Sequence, residues 1–263
     1  MLQFCSLYSG SSGNSFLIKS DHTNILIDSG VSAKKIIDGL TSINLSITDI
    51  DAILITHEHI DHVRSLNTLS SKYNLPVYAN IKTWDALKEK KDSISDSNKK
   101  IFKVSENFEI GDLKIFPFST PHDAADPCGF NICNNKHKLS VATDLGHVSN
   151  SIFKHFEGSS SLMLEANYDP EILKVSSYPF SLKKRIDSLH GHLPNKVSGQ
   201  TICKLINSGL KNALLVHLSK ENNFPELVHK TIEEELLENN YSLDTIDINI
   251  ASRETPGAFL NVI

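Results

Sequence analysis

The segment with the greatest chemical potential in this 263-residue chain is His57-Glu58-His59-Ile60-Asp61-His62. Borderline cations such as Zn²⁺ accept both imidazole nitrogen and carboxylate oxygen. His57 and His59, alternating on an extended turn, can send both rings to one ion. Asp61 and His62 fall at the start of the next helix and can point toward a neighbouring ion. Two such ions about 3.5–4 Å apart suit hydrolysis of a phosphodiester, by activating water and stabilising the leaving oxygen. A set of surface histidines beside a helix start, the alternative, leaves so many ligands at the end of an apolar strand unexplained.

Two ions need more ligands than this run supplies. His122 follows the apolar strand expected at 113–118, Asp144 follows the one at 139–143, and His217 ends the one at 213–217. Active-site groups collect at the C-terminal ends of strands in such sheets. Each of the three alone could as well cap a turn or brace a neighbour. Together with the run they complete a candidate metal shell of His57, His59, Asp61, His62, His122, Asp144 and His217.

These residues need a scaffold. Short apolar, β-branched runs alternate with helical patterns along most of the chain. Strands are expected at 16–19, 24–27, 52–56, 77–79, 113–118, 129–133, 139–143, 162–165 and 213–217. Helices are expected at 33–40, 63–73, 82–91, 152–156, 181–188, 195–208 and 225–238. Pro179, Pro194 and Pro225 stand where a helix could begin, a position at which the missing N–H is harmless. The first third opens with strands and turns, which favours an α/β sandwich of two mixed sheets over a doubly wound sheet. With no repeat, low-complexity linker or long charge run, and with 91–100 read as an exposed loop, residues 1–263 are expected to form a single hydrolase domain.

A hydrophobic fraction of 40% and a charged fraction of 22% are those of an ordinary soluble globular protein. The net charge of −5 gives no global basic field, so a polyanionic substrate would be held by bound metals and a local basic patch. Cys5, Cys128, Cys133 and Cys203 form no Cys-x-x-Cys pair and read as buried free thiols of a reducing compartment. The N-terminus lacks the basic and apolar regions of a signal peptide. No stretch approaches the ~20 apolar residues of a membrane span. A cytoplasmic protein without membrane contacts is expected.

Asp28, the 57–62 run, His122, Asp144 and His217, taken in order, resemble the motifs of the metallo-β-lactamase superfamily, and the resemblance covers nearly the whole chain from Asp28 onward. It implies an αββα four-layer sandwich of two mixed β-sheets flanked by helices, with metals at the edge of the sheets. It also implies that His57, His59 and His122 bind one ion and Asp61, His62 and His217 a second, with Asp144 bridging. A metal-bridging hydroxide would be the nucleophile, and Asp28 would orient loops near the site. Ser9-Gly10-Ser11-Ser12-Gly13-Asn14, Glu165-Ala166-Asn167-Tyr168-Asp169, Gly191-His192-Leu193-Pro194-Asn195 and His217-Leu218-Ser219 are similar to the YycJ/WalJ-like exonuclease branch. Pro194 departs from the Ser expected there but keeps a helix start. The large insertion that RNA-processing relatives carry before the last ligand His is missing, which speaks against a clamp for long structured RNA.

The motif around His192 matches a histidine that contacts the scissile phosphate in nuclease relatives, so His192 could donate a proton to the leaving oxygen. Glu165 is either an ordinary strand-end carboxylate or an acceptor that orients a ligand or catalytic histidine. With Asp61, these two form the candidate catalytic set. His190 reads as a solvated loop histidine. Lys183-Lys184-Arg185 is either a solvated helix face or a positive patch that steers a nucleic-acid backbone. The loop at 9–14 either cradles a phosphate with its N–H groups or is a plain tight turn.

The residues and the resemblance together imply a dinuclear metal-dependent phosphodiesterase acting on nucleic acid, DNA rather than RNA, as a 5′-to-3′ exonuclease. Zn, Mn and Fe all suit the two-ion His/carboxylate set. The alternative is a small-molecule hydrolase for a cyclic nucleotide, lactone or thiolester, favoured by the negative charge and the missing clamp. A non-catalytic metal-stabilised module would require a broken shell, and no expected ligand is missing.

Overall fold

The computed structural model describes residues 1–88, 92–134 and 137–263. The first half runs β1 (Gln3–Tyr8), β2 (Ser15–Lys19), β3 (Asn24–Ile27), α1 (Ala33–Ser42), β4 (Ala52–Leu54), α2 (Ile60–Val63), α3 (Leu66–Tyr73), β5 (Val77–Asn80), α4 (Ile81–Ala86) and β6 (Lys99–Phe102). The second half begins with β7 (Phe108–Ile110), β8 (Leu113–Ser119), β9 (Cys128–Asn134), β10 (His137–Ala142), α5 (Asn150–Phe156) and β11 (Ser161–Glu165). It continues with α6 (Pro170–Val175), α7 (Phe180–Ile186), α8 (Asn195–Ile206), β12 (Asn212–Val216), α9 (Pro225–Glu238) and β13 (Asp247–Ile250), and β14 (Leu260–Asn261) returns to the first sheet.

Among the described residues these strands form two seven-stranded sheets, ordered β14-β1-β2-β3-β4-β5-β6 and β13-β12-β11-β10-β9-β8-β7. Both are mixed. The neighbours from β3 to β6 are parallel, as are those from β10 to β13, and the remaining pairings are antiparallel.

Alternation of side chains along each strand divides the apolar residues among three cores. Ile25 and Ile27 of β3 face Phe130, Leu139, Leu214 and Val216 between the sheets. Leu26 turns the other way, onto Ile36 and Leu40 of α1 and Leu66 and Leu69 of α3. Ala213 and Leu215 of β12 likewise face outward, onto α5, α8 and α9 through Phe156, Ile202 and Ile232. Three stacked cores make four layers, the expected αββα sandwich. Each fully buried aliphatic side chain contributes about 1.5–3 kcal/mol. Because the parallel strands of a sheet share one direction, Asp28, His57, Asp144, Glu165 and His217 all follow C-terminal strand ends, or in the case of Glu165 form one.

Several elements differ from expectation. The helix expected at 63–73 splits into α2 and α3 because the Asp61 carbonyl, which Ser65 N–H would use, accepts from Asn14 N–H at 2.8 Å; Ser65 N–H turns to Ser29 O at 3.0 Å. The helix expected at 82–91 starts as α4 under an Asn80 cap, and its end at 89–91 lies outside the described residues. The stretch read as an exposed loop buries Ile94 and Asn98 and leads into β6. The strands β1, β6, β7, β13 and β14 and the helix α6 add to the expected elements. No helix among the described residues is long and apolar enough to cross a membrane.

Candidate metal centre

On the first-sheet side, residues 55–59 run on from β4 into α2, with His59 at its N-cap. Asp28 follows β3 in the left-handed region (φ 63°) and is fully buried. Its Oδ1 accepts Thr56 N–H at 2.9 Å, and its Oδ2 meets Thr56 Oγ1 and His62 Nδ1, each at 2.8 Å. With Nδ1 so held, His62 directs Nε2 to Asp144 Oδ2 at 3.1 Å and toward Asp61 Oδ2 at 3.6 Å. His57 Nδ1 lies 3.0 Å from Thr56 Oγ1. His59 Nδ1 is 3.4 Å from His122 Nε2, and the other His122 nitrogen binds Gly191 O at 3.0 Å.

On the second-sheet side, Asp144 and His217 also adopt left-handed backbone, φ 54° and 58°. Glu165, fully buried at the end of β11, organises this half. Its Oε1 meets His192 Nδ1 at 2.8 Å and His217 Nδ1 at 2.7 Å; its Oε2 accepts the N–H groups of Leu145 at 2.8 Å and Leu193 at 3.1 Å. Both oxygens are therefore occupied, and each histidine keeps its Nε2 free to face elsewhere. The ordinary strand-end alternative for Glu165 does not describe this arrangement.

All seven residues of the expected metal shell converge. His57, His59 and His122 form one group, Asp61, His62 and His217 a second, and Asp144 joins His57 and His62 in a third; within each group the candidate ligand atoms lie within 4.8 Å of one another. A fourth group combines Asp144, Glu165, His192 and His217. Among the described residues, His57 Nε2 and His217 Nε2 are buried without a hydrogen-bond partner. Such an unsatisfied nitrogen costs about 1–3 kcal/mol unless something binds it, and a divalent cation fits that need and the donor chemistry.

The electrostatics agree. Burial drives His57 well below the ordinary imidazole range, and the charge on His62 adds to this. Burial alone would also lower His217, but Asp144, Asp61 and Glu165 raise it to about 10. Burial opposes ionisation of Asp144 and Glu165, yet the surrounding histidines pull both below the usual carboxylate range. Asp28 is the exception: burial raises it in spite of His62 and Thr56. The carboxylates thus favour the charged form of His62 and His217, while burial favours neutral His57 and His122.

A cavity of about 200 Å³ opens onto this centre. His59, Asp61, His122, Asp144 and His192 line its polar side; Tyr178, Leu182 and Ile186 give it an apolar wall. Arg185 also lines it and pairs with Asp123, so the basic triplet reaches the site through this residue. His190 is exposed, as expected. In the loop at 9–14 the N–H groups of Gly10, Gly13 and Asn14 are already bonded, to Asn14 Oδ1, Gly10 O and Asp61 O. The loop thus braces α2 instead of offering these amides to a phosphate. A Cβ on Gly30 would fall 1.6 Å from Asp61 O, so the brace requires glycine.

Sequence reasoning missed Ser9, whose Oγ accepts His217 N–H at 2.7 Å, and Thr56 as the link between Asp28 and His57. Asn167, with Asp169 a weaker sequence candidate than Glu165 for bracing the site, donates from Nδ2 to His217 O at 2.7 Å. Ser9 lies in a motif already singled out, which is the signal that could have found it.

Residues 23–218 match the model of the Beta-lactamase superfamily domain. Exodeoxyribonuclease YycJ of Bacillus anthracis is 37% identical over 242 residues, covering 92% of this chain and 92% of that protein. Exodeoxyribonuclease WalJ of Streptococcus pneumoniae is 40% identical over 232 residues, covering 88% and 86%. The crystal structure of the metallo-β-lactamase fold protein YhfI from Bacillus subtilis superposes with a TM-score of 0.73 over 98% of this chain and 100% of that one, at 18% identity, a likeness of fold.

Proposed function

We infer that this chain, which belongs to the metallo-β-lactamase superfamily and its YycJ/WalJ branch, is a dinuclear 5′-to-3′ exodeoxyribonuclease formed by residues 1–263 as a single domain. It is a metal-dependent hydrolase. The two most similar relatives described above are both called exodeoxyribonucleases, and the substrate class is carried over from them.

The observation that carries the mechanism is the double grip of Glu165 on His192 and His217. His57, His59 and His122 would hold one ion, Asp61, His62 and His217 the other, with Asp144 between them. When bound, two divalent ions acidify water and neutralise charge on a phosphodiester. Around them, Glu165 fixes the ring of His192 through Nδ1, which leaves Nε2 toward the cavity to carry a proton to the leaving oxygen. Asp61, 18% exposed where His62 is fully buried, lines the cavity with Asp123 and Asp144 and is the acidic group assigned to orient the attacking water. Arg185 offers its guanidinium to a phosphate at the cavity mouth. The four free cysteines fit a cytoplasmic site of action.

The dimensions of the cavity favour one competing reading, a small-molecule phosphodiesterase, lactonase or thiolesterase on the same centre, because about 200 Å³ holds little more than one substrate unit. Digestion of 5′- and 3′-labelled single strands and duplexes of DNA and RNA, with Zn- or Mn-loaded protein, separates the two. Mononucleotides released first from the 5′ end of DNA are expected. A flat result on every polymer together with turnover of a cyclic nucleotide or lactone would replace the nuclease reading.

A further inference from the structure

The helix α7 has two faces at helical spacing. Leu182, Arg185 and Ile186 line the metal cavity, whereas Phe180, Lys183, Lys184 and Asp187 line a second groove of about 530 Å³, whose lining is completed by Pro170, Glu171, Leu173 and Lys174 of α6. Phe180 and Val175 are the most open large apolar side chains among the described residues, each 82% exposed. An aromatic ring left so far in water, beside a cavity and not within a core, is positioned for a partner.

Charge indicates which partner. Residues 170–189 carry four Lys and Arg against two acids, on a chain whose net charge is −5. Lys174 pairs with Glu171 and Arg185 with Asp123, while Lys183 and Lys184 have no ion pair among the described residues. Lys183 Nζ donates one hydrogen bond to Lys174 O at 2.8 Å and keeps its remaining donors. An exposed aromatic ring beside two lysines without a carboxylate partner among the described residues is the chemistry that holds single-stranded nucleic acid, the ring stacking on a base and the cations meeting phosphates. A second copy docking through the same face in an isologous contact would set lysine against lysine.

We propose that the outer face of α7 is a single-strand track, on which Phe180 stacks a base a few nucleotides from the reacting end while Lys183 and Lys184 hold the adjoining phosphates. The track rests on the nuclease reading and adds to it a platform outside the metal centre. It makes the grip on substrate depend on strand length and leaves the chemical step unaffected.

The test is fluorescence anisotropy of the metal-loaded protein with a labelled phosphorothioate oligothymidylate of about a dozen nucleotides and with a dinucleotide, alongside turnover of bis(p-nitrophenyl) phosphate. Phe180→Ala is expected to weaken the long strand about tenfold, and Phe180→Trp to restore it. Dinucleotide binding and turnover of the small diester should not change. Lys184→Ala should flatten the slope of log K against log salt by about 0.7. Equal affinity of wild type and Phe180→Ala for the long strand overturns the track while wild-type DNA digestion leaves the nuclease reading standing. Wild type that turns over the small diester yet binds neither oligonucleotide overturns both. A concentration-dependent dimer in sedimentation that Phe180→Ala abolishes assigns the face to self-association and overturns the track.

Discussion

Asp28 and Glu165 are both fully buried carboxylates that receive backbone N–H and a histidine Nδ1, one on each side of the metal centre, yet their reach differs. Asp28 orients His62 and, through Thr56, touches His57, which are residues within six positions of each other. Glu165 orients His192 and His217, which come from a loop and a strand end far apart in the chain. Burial dominates at Asp28 and raises its carboxyl, while at Glu165 the histidines overcome burial. The first-sheet half is a rigid local unit that needs one anchor. The second-sheet half is assembled from distant pieces, and Glu165 alone joins a candidate ligand, His217, to a histidine that lines the cavity, His192.

Variants can break or sharpen this contrast. The largest effect is expected at Asp144, which lies between the halves: Asp144→Ala should bring hydrolysis to background and lower metal content by elemental analysis, with an unchanged circular dichroism spectrum. Full activity in that variant would remove the bridging role. His192→Ala should reduce turnover by about 10²–10⁴ while both metals stay bound; loss of a metal would make His192 a ligand and erase the division of labour on the Glu165 side. Asp28→Asn and Glu165→Gln form the direct comparison, each expected to lower metal affinity or activity by about 10–100-fold. Glu165→Gln should cut turnover even at saturating metal, because His192 is released as well, whereas Asp28→Asn should be rescued by excess metal. Identical rescue of both would dissolve the asymmetry.

The same contrast explains what could be read from the sequence. The 57–62 run is legible because a strand end and a helix start place its ligands by local geometry alone. His122, Asp144 and His217 are legible as polar residues just after apolar strands. The backbone braces are not: nothing local says that Ser9 accepts the N–H of His217, 208 positions away, or that Asn14 takes the carbonyl that would have kept α2 and α3 continuous. Among strands, β3 and the central ones announce themselves by unbroken apolar runs. The edge strands β6 and β13 keep half-exposed or exposed residues, β14 spans only two residues, and β1 buries Ser6 among its apolar neighbours, so none carries the pattern. The helix α6 could have been found from its Asp169 cap and Pro170.

Asp28, Asp144 and His217 all hold left-handed backbone, a conformation that costs side-chain-bearing residues on the order of 1–3 kcal/mol, less for Asp and His than for most. Glycine adopts that conformation without the penalty, so Asp144→Gly and His217→Gly in the metal-free protein would exchange a candidate ligand for a relaxed turn. The same three turns that aim the side chains inward are thus places where the fold gives up heat tolerance for chemistry.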